Sequence, residues 1–328
     1  MLSDANKLRE LLEKETDKIP DNRGTAIMLS GGLDSSALVC LLLNKGRSLR
    51  SISSSFKKYP IYDETKYIEL IKKRYTKLEI NYITPLNINL LNELKELIGI
   101  IKEPITSGSF ILQYLIMKRA KKLGIRELIY GQWADELMGG YDTYLLARAH
   151  DDLKKIQLSN ALTNIKEYIY RSQENRIDFL ILLRILKRIF TSKGLKNELI
   201  MSIPGVKHLV DIAQKSAKSL NIKLILPFEN NKIVNFCQSL DLDRVVYKGQ
   251  TKIILREAVA DVLPERILNR RIKYGFFAPD TIWLLKNKEN IMRIKDKIVR
   301  EEYKKFLRNP QKRYHEKLWI TLSNIFIT

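Results

Sequence analysis

Apolar positions in the first half of the chain come as short continuous runs, separated by charged stretches with helical spacing. Residues 25–29 form one such run and end in a glycine-rich turn, which predicts a buried strand. Residues 37–43 continue as an apolar helix with Gly46 just beyond its end. The alternation repeats: strand 49–56, helix 64–74, strand 78–83 stopped by Pro85, helices 90–98 and 110–123, then strand 127–130. A short helix over 7–18 precedes it and is broken by Pro20 to Gly24. Strands alternating with helices imply parallel pairing with helices on both faces, so residues 20–150 are expected to be a doubly wound α/β unit. Ligands of such sheets bind beyond the carboxyl ends of the strands. From 145 to 219 the strand signals fade, and segments such as 177–189 are apolar at helical spacing. The expected organisation is an N-terminal helix (1–19), the α/β region (20–150) and a mainly helical region (151–328).

Composition narrows the class. Hydrophobic residues make up 45% of 328, ordinary for a globular protein. No apolar run reaches the roughly 18 residues needed to span a bilayer, and residues 1–7 lack a signal-type stretch. A cytoplasmic protein with no membrane partner is therefore expected. Cys40 and Cys237 sit among apolar neighbours and read as buried reduced thiols. His150, His208 and His315 form no ligand pattern. The net charge of +21 fits a nucleic-acid-binding surface, or a Lys- and Ile-rich thermophilic composition that leaves part of the excess unexplained. Residues 281–328 hold 12 Lys/Arg against 5 Asp/Glu and read as a basic helical tail.

The densest chemistry lies in Ser30-Gly31-Gly32-Leu33-Asp34-Ser35-Ser36, between a strand and a helix. Its glycines let backbone N–H groups converge on one anion, and a helix N-terminus adds favourable partial charge. Ser30, Ser35 and Ser36 supply hydroxyl donors. Asp34 would repel a phosphate unless a cation stood between them, which implies Mg²⁺. The Walker Gly-Lys-Ser/Thr is missing.

This run resembles the PP-loop of the ATP pyrophosphatases, which split ATP between the α- and β-phosphates. Two further stretches are similar to the synthetase domain of asparagine synthetases. Gly131-Gln132-Trp133-Ala134-Asp135-Glu136-Leu137-Met138-Gly139-Gly140-Tyr141 looks like G-E-G-[AS]-D-E-[LV]-F-G-G-Y. Leu226-Pro227-Phe228-Glu229-Asn230, Lys252-Ile253-Ile254-Leu255-Arg256, Leu263-Pro264-Glu265-Arg266-Ile267 and Arg271-Ile272-Lys273-Tyr274-Gly275-Phe276 look like P-F-L-D, K-x-x-L-R, L-P-x-x-I and R-x-K-x-G-F. ATP is expected at residues 30–36 (Ser30, Gly31, Gly32, Asp34, Ser35, Ser36), with the base near Leu29 and Ser54 at adjacent strand ends and Gly131 also lining the nucleotide. The resemblance implies Mg²⁺ between Asp34 and Asp135, and Lys273 at the reacting phosphate with Arg271 beside it.

Three departures stand out. Position 2 is Leu where the family has the Cys of a glutaminase domain, so the amine is expected to be free ammonia, ammonia from a separate glutaminase, or another amine. The first G-E-G glutamate falls on Gln132, and the P-F-L-D aspartate falls on Asn230. Both changes remove charge at motif positions expected to face the second substrate, and Gln132 cannot take a proton as a glutamate would. The default expectation is adenylation of aspartate and transfer to ammonia. The rivals are an RNA-modifying PP-loop enzyme, favoured by charge, and a subunit that depends on a glutaminase or carrier.

Overall fold

The computed structural model describes residues 3–172, 179–272, 277–310 and 315–327. Five parallel strands form the central sheet: β1 (Thr25–Met28), β2 (Leu49–Ser54), β3 (Leu78–Ile83), β4 (Glu127–Ile129) and β5 (Lys223–Ile225). Their spatial order is β3-β2-β1-β4-β5. The chain thus winds outward from β1 to β3 and then restarts on the other side with β4. The reversal lies between β1 and β4, where the carboxyl ends open a crevice.

Side chains of β1 alternate between two cores, as the two-residue strand period requires. Ile27 points toward the helices Asp4–Asp17 and Leu33–Asn44, while Ala26 and Met28 point toward Leu90–Ile101 and Ser109–Lys122. The doubly wound sheet anticipated from the strand–helix alternation is therefore the fold, and a mostly helical half follows it.

Two details differ from the sequence reading. The helix expected over 37–43 begins at Leu33, because Asp34, Ser35 and Ser36 form its polar first turn and carry no apolar period. The second half contributes a strand, β5, whose Leu224 pairs with Leu128 of β4. Lys223-Leu224-Ile225 is too short to announce itself and is a strand because β4 pairs with it. The basic tail is helical, as expected, and it is packed: Trp283, Tyr303 and Trp319 are fully buried against the sheet's second core. Trp319 Nε1 donates to Asp280, and Trp283 Nε1 donates to the Pro85 carbonyl at 2.6 Å.

Candidate nucleotide and acyl-transfer site

The glycine-rich turn leaves β1 at the crevice. Gly31 takes φ +76°, and a Cβ there would stand 3.1 Å from the Glu64 carbonyl oxygen, so glycine is needed for both conformation and space. Gly32 precedes the helix Leu33–Asn44, and no side chain caps that helix. Its first N–H groups face the crevice end of the sheet, a start of the kind that suits an anion. The serines order the turn: Gly32 N–H donates to Ser30 Oγ at 3.2 Å, Ser30 N–H donates to Ser35 Oγ at 3.2 Å, and the two hydroxyls lie 3.1 Å apart. Ser36 is fully buried, and its Oγ finds no hydrogen-bond partner among the described residues.

The loop is braced from outside. Arg270 donates to the Gly31 carbonyl at 3.3 Å and to Glu64 Oε2 at 2.9 Å, and its guanidinium stacks 4.1 Å over the Tyr67 ring. Arg256 donates to the carbonyls of Thr251 and Arg270, both at 2.9 Å, and so fixes where Arg270 sits. Burial first, then the neighbouring Arg171 cation, push Arg256 down to about 10, which leaves it charged at neutral pH.

Asp34 and Asp135 meet at one ammonium. Lys252 Nζ binds Asp34 and lies 2.6 Å from Asp135 Oδ1, with all three side chains largely buried. The glycine pair of the second motif makes room: a Cβ on Gly140 would stand 1.8 Å from Asp135 Oδ1 and 2.3 Å from Lys252 Cε. Two non-glycine residues near Asp135 have left-handed backbones, Trp133 at φ +82° and Lys252 at φ +56°. Each such residue costs about 1–3 kcal/mol and persists only where packing holds it. Buried Trp133 and the paired Lys252 meet that condition.

Two clefts flank this ammonium. One, of about 120 Å³, is lined by Ser30, Ser35, Gln113, Gly131, Gln132 and Asp135. The other, about 30 Å³ in this state, is lined by Gly32 and Asp34 together with Arg171, Lys252, Arg256, Arg270 and Arg271. Arg171 is buried and bonds Glu167 at 2.8 Å and the Gly249 carbonyl at 2.9 Å. Arg271 pairs with the same Glu167 while its own side chain stays 62% exposed. A larger cavity of about 650 Å³ lies beyond Glu136 and Leu137, lined by Leu199, Ile203, Cys237 and Leu240.

Most of the site residues read from sequence are brought together: Ser30, Gly32, Asp34, Ser35, Gly131, Gln132 and Asp135 line the clefts, with Arg271 on the cationic side. Leu29 and Ser54 stand at the carboxyl ends of β1 and β2, and Leu29 N–H donates to the Ile52 carbonyl. Asn230 does otherwise. It lines neither cleft; its Oδ1 accepts from Lys232 N–H at 2.8 Å and caps the helix Asn231–Gln238. Lys273 lies outside the described residues. Sequence reasoning assigned no role to Lys252 or Arg256, although the K-x-x-L-R stretch marked both, and it missed Glu64, Glu167, Arg171 and Arg270 entirely. Those four carry no local motif, and the pairs Arg270–Glu64 and Arg271–Glu167 span 206 and 104 residues.

Both cysteines are buried, and burial pushes each thiol up to about 12. Neither forms a thiolate near neutral pH.

A parallel five-stranded sheet with a glycine turn and paired carboxylates at its switch point places the chain among the doubly wound α/β proteins. Within that class, the Asparagine synthase family pattern matches residues 7–318, and the chain belongs to that family. It is 23% identical over 313 residues to asparagine synthetase [glutamine-hydrolyzing] 1 of Bacillus subtilis (strain 168), across 80% of this chain and 47% of that protein. The chain thus spans about half the length of the curated relative it matches.

Proposed function

We propose that the protein is an ATP-dependent, AMP-forming amide synthetase that activates a carboxylate, aspartate by default, and transfers it to ammonia or another amine. The observation that carries this reading is the ammonium of Lys252 held between Asp34 and Asp135, beside an uncapped helix start and ringed by Arg171, Arg256, Arg270 and Arg271. Such a ring suits the pyrophosphate that leaves when a carboxylate oxygen attacks the α-phosphate.

The donor set also suits Mg²⁺, which takes one or two carboxylates together with substrate phosphates. Asp34 and Asp135 already share one cation, and Asp135 is given room by Gly140. The ion would offset phosphate charge as pyrophosphate departs. The loop N–H groups orient the phosphates, and Lys273 is assigned by family resemblance to the α-phosphate. In the second half-reaction the amine attacks the acyl carbon and AMP leaves. Gln132 hydrogen-bonds the incoming amine but cannot accept its proton, so that proton passes to solvent or a second amine.

The RNA-modifying reading loses support because both thiols are buried and protonated. The test is a pyrophosphate-release screen over carboxylic acids, with and without ammonium. Release that needs a particular acid and vanishes in Asp34→Ala supports the proposal; acid-independent ATP cleavage rules it out.

A further inference from the structure

The helix Phe179–Thr191 is amphipathic, with a basic face of Arg184, Lys187 and Arg188 and an apolar face wider than the part of it that is buried. Ile185 and Ile189 are buried with Leu146. The adjoining face shows Leu182, Leu183 and Leu186 to solvent, and Phe190 is 73% exposed. Spacing of four residues sets 182, 186 and 190 along one line. The next helix, Leu195–Ser219, adds exposed Ile200 and Met201 near its start, and the pair Arg188–Glu198 at 2.8 Å holds the two helices together. An uncovered apolar patch flanked by basic side chains marks a binding surface.

Its charge narrows what can cover it. Arg184, Lys187, Arg188, Lys193 and Lys196 are all exposed along this stretch, where Glu198 is the single acid between residues 179 and 201. A second copy would bring like charges together. An anionic bilayer presents the complementary charge and the apolar depth at once. The helix has 13 residues, too few to cross a bilayer but ample to lie in its surface. The absence of a spanning run therefore does not speak against a membrane surface.

We propose that this helix docks the protein on an anionic lipid bilayer. Leu182, Leu183, Leu186 and Phe190 enter the acyl boundary, and Arg184 and Lys187 lie among the headgroups. The net charge of +21 adds long-range attraction.

The experiment is co-sedimentation of the full chain with vesicles of pure phosphatidylcholine or of phosphatidylcholine mixed with phosphatidylglycerol, at low salt and at about 0.5 M salt. The protein should bind only the anionic vesicles, and salt should weaken binding. Leu186→Glu with Phe190→Glu should lower binding about tenfold or more at unchanged melting temperature. Arg184→Glu with Lys187→Glu should do the same on anionic vesicles. The proposal fails if the wild type binds neither vesicle. It fails if the apolar double variant binds like wild type, which would place contact elsewhere on the basic surface. It also fails if light scattering finds a dimer that Leu186→Glu with Phe190→Glu dissociates.

Discussion

The two sides of the Asp34–Lys252–Asp135 junction are built differently. On the nucleotide side, charge is abundant and tied: Arg270 grips Glu64 and the Gly31 carbonyl, Arg256 grips three backbone carbonyls, and Arg171 with Arg271 shares Glu167. On the acceptor side, Gln132 lines its cleft as a neutral amide, and Asn230 has turned to helix capping. Fixed, preorganised charge is what phosphate chemistry demands, because the transition state gains most from dipoles that need not move. An acceptor pocket lacking a positioned base can bind an amine but adds little to its nucleophilicity. On the proposed function, the difference predicts an intact first half-reaction and a slow second one.

The largest expected break in that contrast comes from the junction itself. Asp34→Ala or Asp135→Ala should lower pyrophosphate formation by about 10³-fold or more, since each removes several kcal/mol of charge organisation. Melting temperature should move little, because Lys252 keeps the other carboxylate. Steady-state kinetics with differential scanning fluorimetry check both; full activity in either variant removes these carboxylates from the chemistry.

Next, Gln132→Glu should raise ammonia-dependent amide formation, by up to the roughly 10²–10⁴-fold that a positioned base supplies. Adenylation in the absence of amine should be unchanged. Equal amide yields from both proteins would make the amide neutral to acceptor chemistry. Lys273→Ala should cut kcat about 10²-fold with the KM for ATP little changed, as expected of a group spent on the transition state. A rise in KM alone would assign it to ground-state binding.

A smaller effect separates the site from its scaffold. Asp280 is pushed up to about 6 by burial, against the lowering effect of the Gly108 N–H and Trp319. Its folded value exceeds its unfolded one, so the native state holds the extra proton between about pH 4 and 6. Its contribution is therefore most favourable below pH 4 and declines as pH rises through 6. Asp280→Asn should stabilise the protein at pH 7 by up to about 3 kcal/mol and by nearly nothing at pH 4, measured by denaturant unfolding. The smallest effect belongs to Asn230→Asp, under about 0.5 kcal/mol, because either side chain caps a helix. A large change in acceptor kinetics there would reopen that residue's role.

Much of this contrast was legible in the sequence because its carriers are local. Strand, glycine turn and polar first helical turn lie within a dozen residues and name their own conformation. The braces were not legible. Glu64, Glu167 and Arg171 read as ordinary helical surface charges, and only packing brings them beside segments distant in the chain. Strand β5 was hidden for the same reason, since three residues beginning with Lys become a strand through β4. Asn230 shows the converse: a motif position suggested chemistry, and the fold uses its side chain as a cap.

The central claim is that a carboxylate oxygen attacks the α-phosphate at residues 30–36. The direct measurement supplies the best-driving acid with ¹⁸O in its carboxylate, together with ATP, Mg²⁺ and amine, and weighs the nucleotide product. Attack at the α-phosphate predicts AMP carrying one ¹⁸O, with unlabelled pyrophosphate. ADP as product, or AMP without label, would contradict it.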